Sequence, residues 1–487
     1  MKLHPVILVG AGPGDPGLVT VRGLECIRRA DVILYDNLAA PALLAYARHD
    51  AQTIYVGKKR AEHALTQAQI NDLLLEHARA GRQVVRLKGG DPLLFGRGGE
   101  EAEALAAAGI PFEIVPGVSS AMGAAAFAGI PLTHREHTSA VTFVTGHAVD
   151  KIDWARVGAS ETIVVFMGLV NFGEIARRLI AGGRSPATPA AAVRWATRRD
   201  QRVLTGTLAN LAEKIAGARL KPPALILVGE VVLLREKLNW FEALPLFGKT
   251  VVVTRAREQA GALGVRLAEM GAHVVEIPTI EIGPPADPRP LDNALARLES
   301  FDWVIFTSAN GVRFFTRRLD ASARDLRALR ARICAIGPAT AAALAALHLK
   351  VDLMPEEYVA ESVVAAFEKI PLEGARILLP RAAAARDLIP VELEKRGARM
   401  TVAEVYRTVP ARDARWPEDL HPDWIAFTSS STVENFHALF GAGPLAGVRV
   451  ASIGPVTSAT ARRLGMEVAV EAAEHTIDGL VAAILSG

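Results

Sequence analysis

The 487-residue chain has little cysteine, few aromatic residues and no long apolar run. Its two cysteines, Cys26 and Cys334, lie far apart in unrelated contexts, which excludes a disulfide framework or a thiolate metal site and favours a reducing cytosol. The longest apolar run, PALILVGEVVLL (223–234), falls short of the about 18 residues needed to span a bilayer and is typical of a buried strand. Glycines from Gly10 onward end the first apolar run too early for a signal peptide.

Neither sign of charge dominates the sequence. The formal net charge is +3 and the pI is about 8.9, and no dense basic run is interleaved with aromatic residues, which argues against a nucleic-acid partner. No group of residues has the spacing of metal ligands, so we predict no metal site. We expect a cytoplasmic protein, without membrane or nucleic-acid partners, whose basic residues meet an anionic small molecule.

Short runs rich in Val and Ile alternate with helical stretches rich in Ala, Leu, Arg and Glu. This alternation is typical of α/β layers with buried, mostly parallel strands, so the predicted fold class is α/β. In the first half the predicted strands cover residues 6–9, 32–35, 52–56, 84–87, 112–115, 142–144, 162–166, 190–193 and 224–228.

The main domain boundary is predicted at residues 240–248, which lack both helical and strand periodicity. Trp240 and Phe241 make this stretch an apolar connector that packs on one module, unlike a flexible Gly/Ser linker. We therefore predict one module over residues 1–239 and a second over residues 249–487.

The second module contains an internal sequence repeat. DWVIFTSANGVRFF (302–315) returns as DWIAFTSSSTVENF (423–436), and ICAIGPATAAAL (333–344) returns as VASIGPVTSATA (450–461). The spacing is too long for a solenoid repeat. We therefore predict two similar α/β lobes that face a shared cleft.

The first predicted strand runs into a glycine-rich turn, GAGPGDPG (10–17). A dinucleotide site would place backbone N–H groups against a pyrophosphate, but Pro13 and Pro16 have no N–H and Asp15 would repel the phosphates. Three interpretations stand: a tight turn without a ligand, a dinucleotide site, and a site for a nucleoside-type ligand without phosphate. The residues fit the third interpretation best.

A second glycine-rich loop follows another strand, in VVRLKGGDPLLFGRGGEE (84–101). Glycine lets the backbone approach a ligand closely. Together with VPGVSSA (115–121) and GIPLTHR (129–135), the two loops resemble those of the uroporphyrinogen-III C-methyltransferases. The resemblance continues in order through ADVILYDNL, VGKK, VTGH, VVFMG and PALILVGEVV, and it covers residues 1–239.

This resemblance implies S-adenosyl-L-methionine as the cofactor, in a cleft between two α/β lobes at about residues 1–116 and 117–239. The sulfonium cation and the lack of phosphate suit a turn rich in proline and aspartate. The chain departs from the family pattern at three places. Ser119-Ser120 stand where Thr-Ala is frequent, Ala196 stands near a frequent glycine, and Gly57-Lys58-Lys59 stand where GKR is frequent. Contacts at these places would be mostly to the backbone. The implied cofactor-binding residues are Pro13, Gly89, Gly90, Asp91, Leu94, Ser119, Ser120, Met167 and Ala196.

The same resemblance implies Asp36 as the proton acceptor and Lys58 as the proton donor. The alternative is that Asp36 caps a helix and Lys58 is a solvated surface residue. The implied substrate is a polycarboxylate, which arginine forks bind well, and a homodimer through this module is expected by resemblance alone. The candidate substrate-binding residues are Arg22, Arg97, His134 and Arg135.

Beyond the connector, the motifs GKTVVVTRAR, FTSANGV, AIGPATAAAL, RILLPRA, AEVYRT and FTSSSTVENF occur in an order that resembles uroporphyrinogen-III synthase. That family has two α/β lobes joined by a pair of crossing strands. The resemblance therefore implies one lobe from residues 249–280 with 407–487 and another from residues 283–406. The proline-rich GPPADPRP (283–290) fits the crossing.

In this module, Tyr406 resembles a residue proposed to assist departure of the substrate hydroxyl. Turns at strand ends can present amides and hydroxyls to substrate carboxylates at helix starts, and the alternative is that their Ser and Thr residues only cap helices. Arg255 and Arg381 are further carboxylate candidates. The substrate-binding candidates in these turns are Thr307, Ser308, Asn310, Thr340, Ser429, Ser430 and Thr457.

The two resemblances together imply a bifunctional tetrapyrrole enzyme. Its second module would cyclise hydroxymethylbilane to uroporphyrinogen III, and its first would methylate that product twice to precorrin-2, on the branch toward sirohaem or cobalamin. One alternative is a methyltransferase that acts on a later corrin intermediate. Another is a second module that binds tetrapyrrole without catalysis, because no Cys/His or Ser/His/Asp arrangement marks the synthase chemistry.

Overall fold

The computed structural model describes residues 3–57, 65–254, 257–383, 387–411 and 414–487. These residues form two compact units, one from Met1–Lys249 with Ala268–His273 and the other from Thr250–Leu267 with Val274–Gly487. Each unit is built on two five-stranded sheets. Within the described ranges, no helix has both the length and the apolar character needed to cross a membrane.

The first sheet of the first unit is parallel throughout, in the order β3-β2-β4-β1-β5. Its central strands are buried on both faces, which explains their continuous Val, Ile and Leu runs. Its elements are β1 (Val6–Gly10), α1 (Val21–Arg29), β2 (Val32–Tyr35), β3 (Gln52–Tyr55), α2 (Gln67–Arg79), β4 (Val84–Lys88), α3 (Gly98–Ala107) and β5 (Phe112–Val115).

The second sheet of this unit has the order β6-β7-β10-β8-β9. Its elements are α4 (Ser120–Ala128), β6 (Val141–Thr145), α5 (Trp154–Gly158), β7 (Thr162–Phe166), α6 (Phe172–Ala181), β8 (Pro189–Arg194), β9 (Arg202–Thr207), α7 (Leu211–Gly217), β10 (Ala224–Val228) and α8 (Arg235–Leu238).

The expectation of mostly parallel strands is wrong for this second sheet. Only β6 and β7 pair in parallel, whereas β10 pairs antiparallel with β7 and β8, and β8 pairs antiparallel with β9. Strand β9 was not among the predicted strands. It is an edge strand with no fully buried residue and with polar residues such as Arg202 and Thr205, so it lacks the apolar run that marks the other strands.

The second unit contains ten further strands and nine further helices among the described residues. They are β11 (Thr250–Val253), α9 (Arg257–Glu269), β12 (His273–Glu276), β13 (Ile280–Gly283), α10 (Arg289–Ala296), β14 (Trp303–Phe306), α11 (Ala309–Asp320), β15 (Arg332–Ala335), α12 (Pro338–Ala345), α13 (Ala360–Ala366), β16 (Arg376–Ala382), α14 (Leu388–Glu394), β17 (Arg399–Pro410), β18 (Trp424–Phe427), α15 (Ser430–Phe440), β19 (Arg449–Ser452), α16 (Pro455–Arg463), β20 (Val468–Glu471) and α17 (Ile477–Ser486).

The strands of the second unit form sheets of order β12-β11-β18-β19-β20 and β13-β17-β16-β14-β15. The chain connects these sheets through two adjacent strands, since β13 pairs antiparallel with the end of the long strand β17. In that pairing Ile280 lies opposite Pro410 and Gly283 lies opposite Arg407.

The internal sequence repeat corresponds to two copies of the same strand–helix unit. In the first copy, β14 leads into α11, and the rings of Phe306 and Phe315 meet edge to face at 5.3 Å. In the second copy, β18 leads into α15, and Phe427 and Phe436 meet edge to face at 5.6 Å. The repeated sequence thus produces the same aromatic packing in both sheets.

The apolar connector packs within the first unit. The Trp240 indole N–H donates to the Ala126 carbonyl oxygen at 2.9 Å. Phe127 meets both Trp240 and Phe241, and Phe241 also meets Phe247. These contacts bury one side of the connector against α4.

Candidate active-site cleft

A cleft of about 340 Å³ in the first unit is lined by residues of both of its sheets. The sequence-predicted residues come to it from turns at the ends of β1, β2, β4, β7 and β8 and from the start of α4. Those that line the cleft are Pro13, Asp36, Gly89, Gly90, Leu94, Arg97, Ser120, Met167 and Ala196.

The two glycine-rich loops are joined to each other by backbone hydrogen bonds. The Gly90 N–H donates to the Gly12 oxygen at 2.7 Å, and the Gly12 N–H donates to the Gly90 oxygen at 3.3 Å. Gly12 has a φ near 79° and Gly90 a φ near 68°, and glycine adopts such positive values at little cost. A Cβ built on Gly10 would lie 2.5 Å from the Gly117 Cα, so this crossing requires glycine.

The proline and the aspartate of the opening turn have separate positions. Pro13 lines the cleft and packs against Gly123, where a Cβ would come within 2.4 Å of the proline. The Asp15 carboxylate instead accepts the Gly17 N–H at 2.8 Å, and its own N–H donates to the Thr197 hydroxyl at 2.9 Å. Asp15 therefore shapes the turn and does not line the cleft.

Two of the predicted cofactor-binding residues hold the loops around the cleft. One Asp91 oxygen accepts the Leu93 N–H at 2.9 Å and the other accepts the Gly117 N–H at 3.1 Å. The buried Ser119 hydroxyl accepts the Ala121 N–H at 3.3 Å and caps α4. Neither residue is among those that line the cleft.

Backbone strain is concentrated around the cleft. Four of its non-glycine lining residues have a left-handed φ: Phe95 (54°), Arg97 (60°), Met167 (53°) and Trp195 (49°). Such conformations cost on the order of 1–3 kcal/mol each, and they cluster at functional sites. The Arg198 guanidinium also lies 4.1 Å from the centroid of the Trp195 ring.

A network of buried charges underlies the cleft, and sequence reasoning missed most of it. Arg86 and Lys88 line the cleft, and the fully buried Glu101 accepts from Arg86 Nε at 3.1 Å and from Lys88 Nζ at 2.8 Å. Arg86 Nη2 donates to Asp36 at 3.0 Å. Burial, followed by the nearby Arg86 charge, lowers the pKa of Lys88. The sequence VVRLK (84–88) could have indicated these buried cations, because two basic residues alternate with apolar residues in a buried strand.

The remaining predicted residues of this module lie elsewhere or outside the described ranges. Arg22 is more than half exposed and forms an ion pair with Glu113 at 2.8 Å. His134 and Arg135 do not line the cleft, and Lys58 lies outside the described residues. The cleft-lining Arg97 forms an exposed ion pair with Glu100 at 2.5 Å.

One cluster has the composition of a metal site. Ligand atoms of His134, Glu136 and His137 lie within 4.8 Å of one another, and the last two residues are exposed. The three residues belong to a single short turn, for which the sequence analysis predicts no metal site.

In the second unit, the structure brings Tyr406 and Ser308 together. The Tyr406 hydroxyl lies 3.1 Å from the Ser308 Oγ, which also accepts the Gly311 N–H at 2.9 Å and so caps α11. The Tyr406 ring packs against Phe314 with centroids 5.8 Å apart. Thr307 lies directly before this capping serine.

The other predicted residues of this unit occupy equivalent turns. Ser429 caps α15 through the Thr432 N–H at 3.3 Å, and Ser430 begins that helix. Thr340 and Thr457 are buried in the first turns of α12 and α16. The alternative of helix capping thus describes Ser308 and Ser429. The Asn310 side chain accepts from Arg313 at 3.0 Å.

Of the two arginine candidates of this unit, the structure describes Arg381. Arg381 donates to Asp387 at 2.6 Å and is largely buried, and Arg255 lies outside the described residues.

Comparison with known proteins identifies both halves of the chain. Residues 5–212 match the family model for tetrapyrrole (corrin/porphyrin) methylases. Residues 261–482 match that for uroporphyrinogen-III synthase HemD.

Similar proteins cover either nearly the whole chain or about half of it. The porphyrin biosynthesis protein HemD of Ruminiclostridium josui is 37% identical over 99% of this chain and 97% of its own length. The siroheme synthase of Ectopseudomonas mendocina is 56% identical over 49% of this chain, which spans only 53% of that relative.

Among solved structures, the uroporphyrin-III C-methyl transferase of Thermus thermophilus, complexed with S-adenyl homocysteine, is similar to the first half. It has 41% sequence identity, a TM-score of 0.42, and coverage of 47% of this chain and 99% of its own. With a methylase match, a synthase match and a full-length relative in agreement, the chain belongs to the family of porphyrin biosynthesis proteins that carry a tetrapyrrole methylase domain followed by a uroporphyrinogen-III synthase domain.

Proposed function

We propose that the first unit methylates uroporphyrinogen III twice, giving precorrin-2, and that the second unit supplies uroporphyrinogen III from hydroxymethylbilane. The observation that carries this proposal is the single cleft that joins Asp36 with Pro13, Gly89, Met167 and Ala196. The full-length similarity to a porphyrin biosynthesis protein supports the pairing of the two activities in one chain.

The residues of the cleft fit S-adenosylmethionine. Pro13 offers no N–H to a phosphate, and Val193, Met167 and Leu225 give the cleft apolar walls that suit an adenosyl group. Bound there, the cofactor supplies a methyl group activated by its sulfonium. The backbone at Gly89 and Gly90, with Leu94, Ser120 and Ala196, would hold it, while Asp91 and Ser119 keep the surrounding loops in place.

The chain's main contribution to methyl transfer is alignment. The pyrrole carbons of the substrate are already nucleophilic, so positioning them in the cleft supplies much of the rate. Methyl transfer leaves the tetrapyrrole with a positive charge at a ring whose methylated carbon carries no hydrogen. Asp36, at the end of β2, then accepts a proton from another position of the substrate, which restores its neutrality. Arg97 at the cleft is suited to a substrate carboxylate, because a guanidinium forms paired hydrogen bonds with it.

In the second unit, we propose that the hydroxyl pair of Tyr406 and Ser308, whose oxygens lie 3.1 Å apart, acts on the bilane. Tyr406 assists departure of the bilane hydroxyl, and the helix starts at α11, α12, α15 and α16 orient its carboxylates. The substrate folds in this site so that its last ring closes in the inverted orientation.

Anaerobic methyl transfer to supplied uroporphyrinogen III tests the first half of this proposal. We expect two methyl groups to be added by the unaltered protein and Asp36→Asn to lower kcat by about 10²- to 10⁴-fold, which is the usual contribution of a general base. The affinity for S-adenosylhomocysteine, measured by calorimetry, should stay within threefold. Asp72→Asn, an exposed change on α2, is the matched control.

Two results would contradict the assignment. An Asp36→Asn variant with full activity would remove Asp36 from the reaction. Absence of methyl transfer by the unaltered protein, in the presence of both substrates, would refute the methyltransferase proposal itself.

A further inference from the structure

Two buried cations reach the cleft from one strand. Arg86 and Lys88 are each only 4% exposed, and they lie two positions apart on β4, so they share a face of the sheet. Buried cations require partners, because burial removes their hydration. The way these partners are arranged indicates what the cations do.

Glu101 is the partner that both cations share. It is fully buried at the start of α3 and accepts from Arg86 Nε at 3.1 Å and Lys88 Nζ at 2.8 Å. Gln67 Nε2 adds a third hydrogen bond at 3.2 Å. A carboxylate with three donors cannot rotate without leaving one of them unsatisfied.

Arg86 is fixed from several sides. Its Nε is held by Glu101, and its Nη1 donates to the backbone oxygens of Leu87 at 2.9 Å and Leu34 at 3.4 Å. Its Nη2 donates to Oδ2 of the cleft-lining Asp36 at 3.0 Å. Because the guanidinium is planar and rigid, its hydrogen bond to Glu101 fixes the direction of its hydrogen bond to Asp36.

Asp36 is consequently held at both oxygens. Its Oδ1 accepts the Leu38 N–H at 2.9 Å, and its Oδ2 accepts from Arg86. The side chain is 23% exposed, so it keeps an accessible edge in the cleft. Among the described residues, the hydrogen bond from the Leu38 N–H within its own turn is the one that would still restrain Asp36 without Arg86.

We propose that Arg86, anchored by Glu101, is the positioning residue that holds the Asp36 carboxylate in the orientation required for proton acceptance. Lys88 is the second cation that keeps Glu101 in place. This inference rests on the proposed role of Asp36, and its test separates the failure of one from the failure of the other.

A double-mutant cycle with Arg86→Gln and Asp36→Asn tests the inference. We expect Arg86→Gln to lower kcat by at least tenfold, with the KM for uroporphyrinogen III and the affinity for S-adenosylhomocysteine within threefold. In the Asp36→Asn background the same change should cost less than threefold, because its effect acts through Asp36. Arg48→Gln, which breaks an exposed pair with Asp31, is the matched control.

Arg86→Lys and Glu101→Gln keep the test decisive if Arg86→Gln does not fold. Lysine retains the charge but cannot reach both carboxylates as a fork, so we expect its kcat to lie between those of the unaltered protein and Asp36→Asn. Glu101→Gln should lower kcat in the same way and lose that effect when Asp36 is asparagine. Thermal melting and S-adenosylhomocysteine binding identify the folded variants.

The possible outcomes are distinct. If Asp36→Asn is slow and the Arg86 or Glu101 change slows it by a further tenfold, Arg86 acts independently of Asp36 and the inference is wrong. If Asp36→Asn is fully active, the proposed function of Asp36 fails instead. If the effects of the Arg86 and Asp36 changes on kcat are not additive, the result supports both the role of Asp36 and the positioning role of Arg86.

Discussion

At the scale of single residues, the glycines of the two loops explain why the opening turn resembles a dinucleotide motif without its chemistry. Gly10 and Gly117 cross so closely that a Cβ on either would overlap the other backbone. The glycines therefore serve loop-to-loop contact as well as ligand approach. This role could not be predicted from one turn, because it depends on a partner loop far away in the sequence.

Gly89→Ala tests the need for close approach beside the cleft. A Cβ at Gly89 would lie 2.4 Å from the Leu38 Cβ and 2.8 Å from its backbone oxygen, so the loop must shift. We expect the Kd for S-adenosylhomocysteine to rise by about tenfold or more, equivalent to about 1.4 kcal/mol, and the free energy of unfolding to fall by about 1–3 kcal/mol. Calorimetry and urea denaturation measure the two effects.

Gly99→Ala is the matched control for this change. A Cβ at Gly99 meets nothing within 4 Å, and the residue lies in α3. Alanine there should leave binding unchanged and raise stability by up to about 1 kcal/mol. Unaltered affinity in Gly89→Ala would show that the loop can shift without affecting the cofactor.

The residues that sequence reasoning found and missed differ in a physical way. Pro13, Gly89 and Met167 belong to motifs that are continuous in sequence, and they line the cleft. The pairing of Arg86 with Asp36 depends on the order of the strands in the sheet. The pairing of Glu101 with Arg86 depends on the packing of α3 against that sheet. The local pattern VVRLK indicates two buried cations, but it does not predict their partners, because the ion pairs join different elements.

At the scale of elements, the carboxylate of Glu161, directly before β7, binds the segment that follows the turn carrying His134 and Arg135. Glu161 accepts from the backbone N–H groups of Ser139 and Ala140 and from the Ser139 hydroxyl. These hydrogen bonds, that of the Ser139 backbone foremost, lower the pKa of Glu161. Its charged form therefore stabilises the folded state.

Glu161→Gln should weaken this attachment in a pH-dependent way. Because the folded-state pKa lies below the unfolded value of about 4.3, the stabilisation is complete above that value and disappears as the pH falls through the lower, folded-state pKa. We expect the difference in Tm from the unaltered protein to be largest near pH 7 and to shrink below about pH 4. Thermal melts across this range measure it, with the exposed Glu213→Gln as the control. A difference that grows toward acid would contradict the assignment.

Element existence was largely predictable, whereas strand direction was not. Runs such as TIVVF (162–166) and ALILV (224–228) are strands with the predicted bounds. Their antiparallel pairing was missed, because a run buried on both faces has the same composition in either direction. Edge strand β9 was missed for the opposite reason, since it has no buried run at all.

At the scale of the whole molecule, the duplicated strand–helix unit was the sequence feature that predicted the architecture of the second half. Its two copies start the helices α11 and α15 with a capping serine at the same position, Ser308 and Ser429. A homodimer through the first unit remains a proposal, which light scattering of the purified protein would test. A monomer at assay concentrations would contradict it.

The coupling of two activities in one chain is the central claim, and one assay addresses it directly. The full-length protein is incubated anaerobically with freshly generated hydroxymethylbilane, with and without S-adenosylmethionine, and the products are analysed by isomer and mass. We predict the type III isomer without the cofactor and a product carrying two added methyl groups with it. Formation of the type I isomer alone, while supplied uroporphyrinogen III is still methylated, would contradict the claim and leave the second unit as a binding domain.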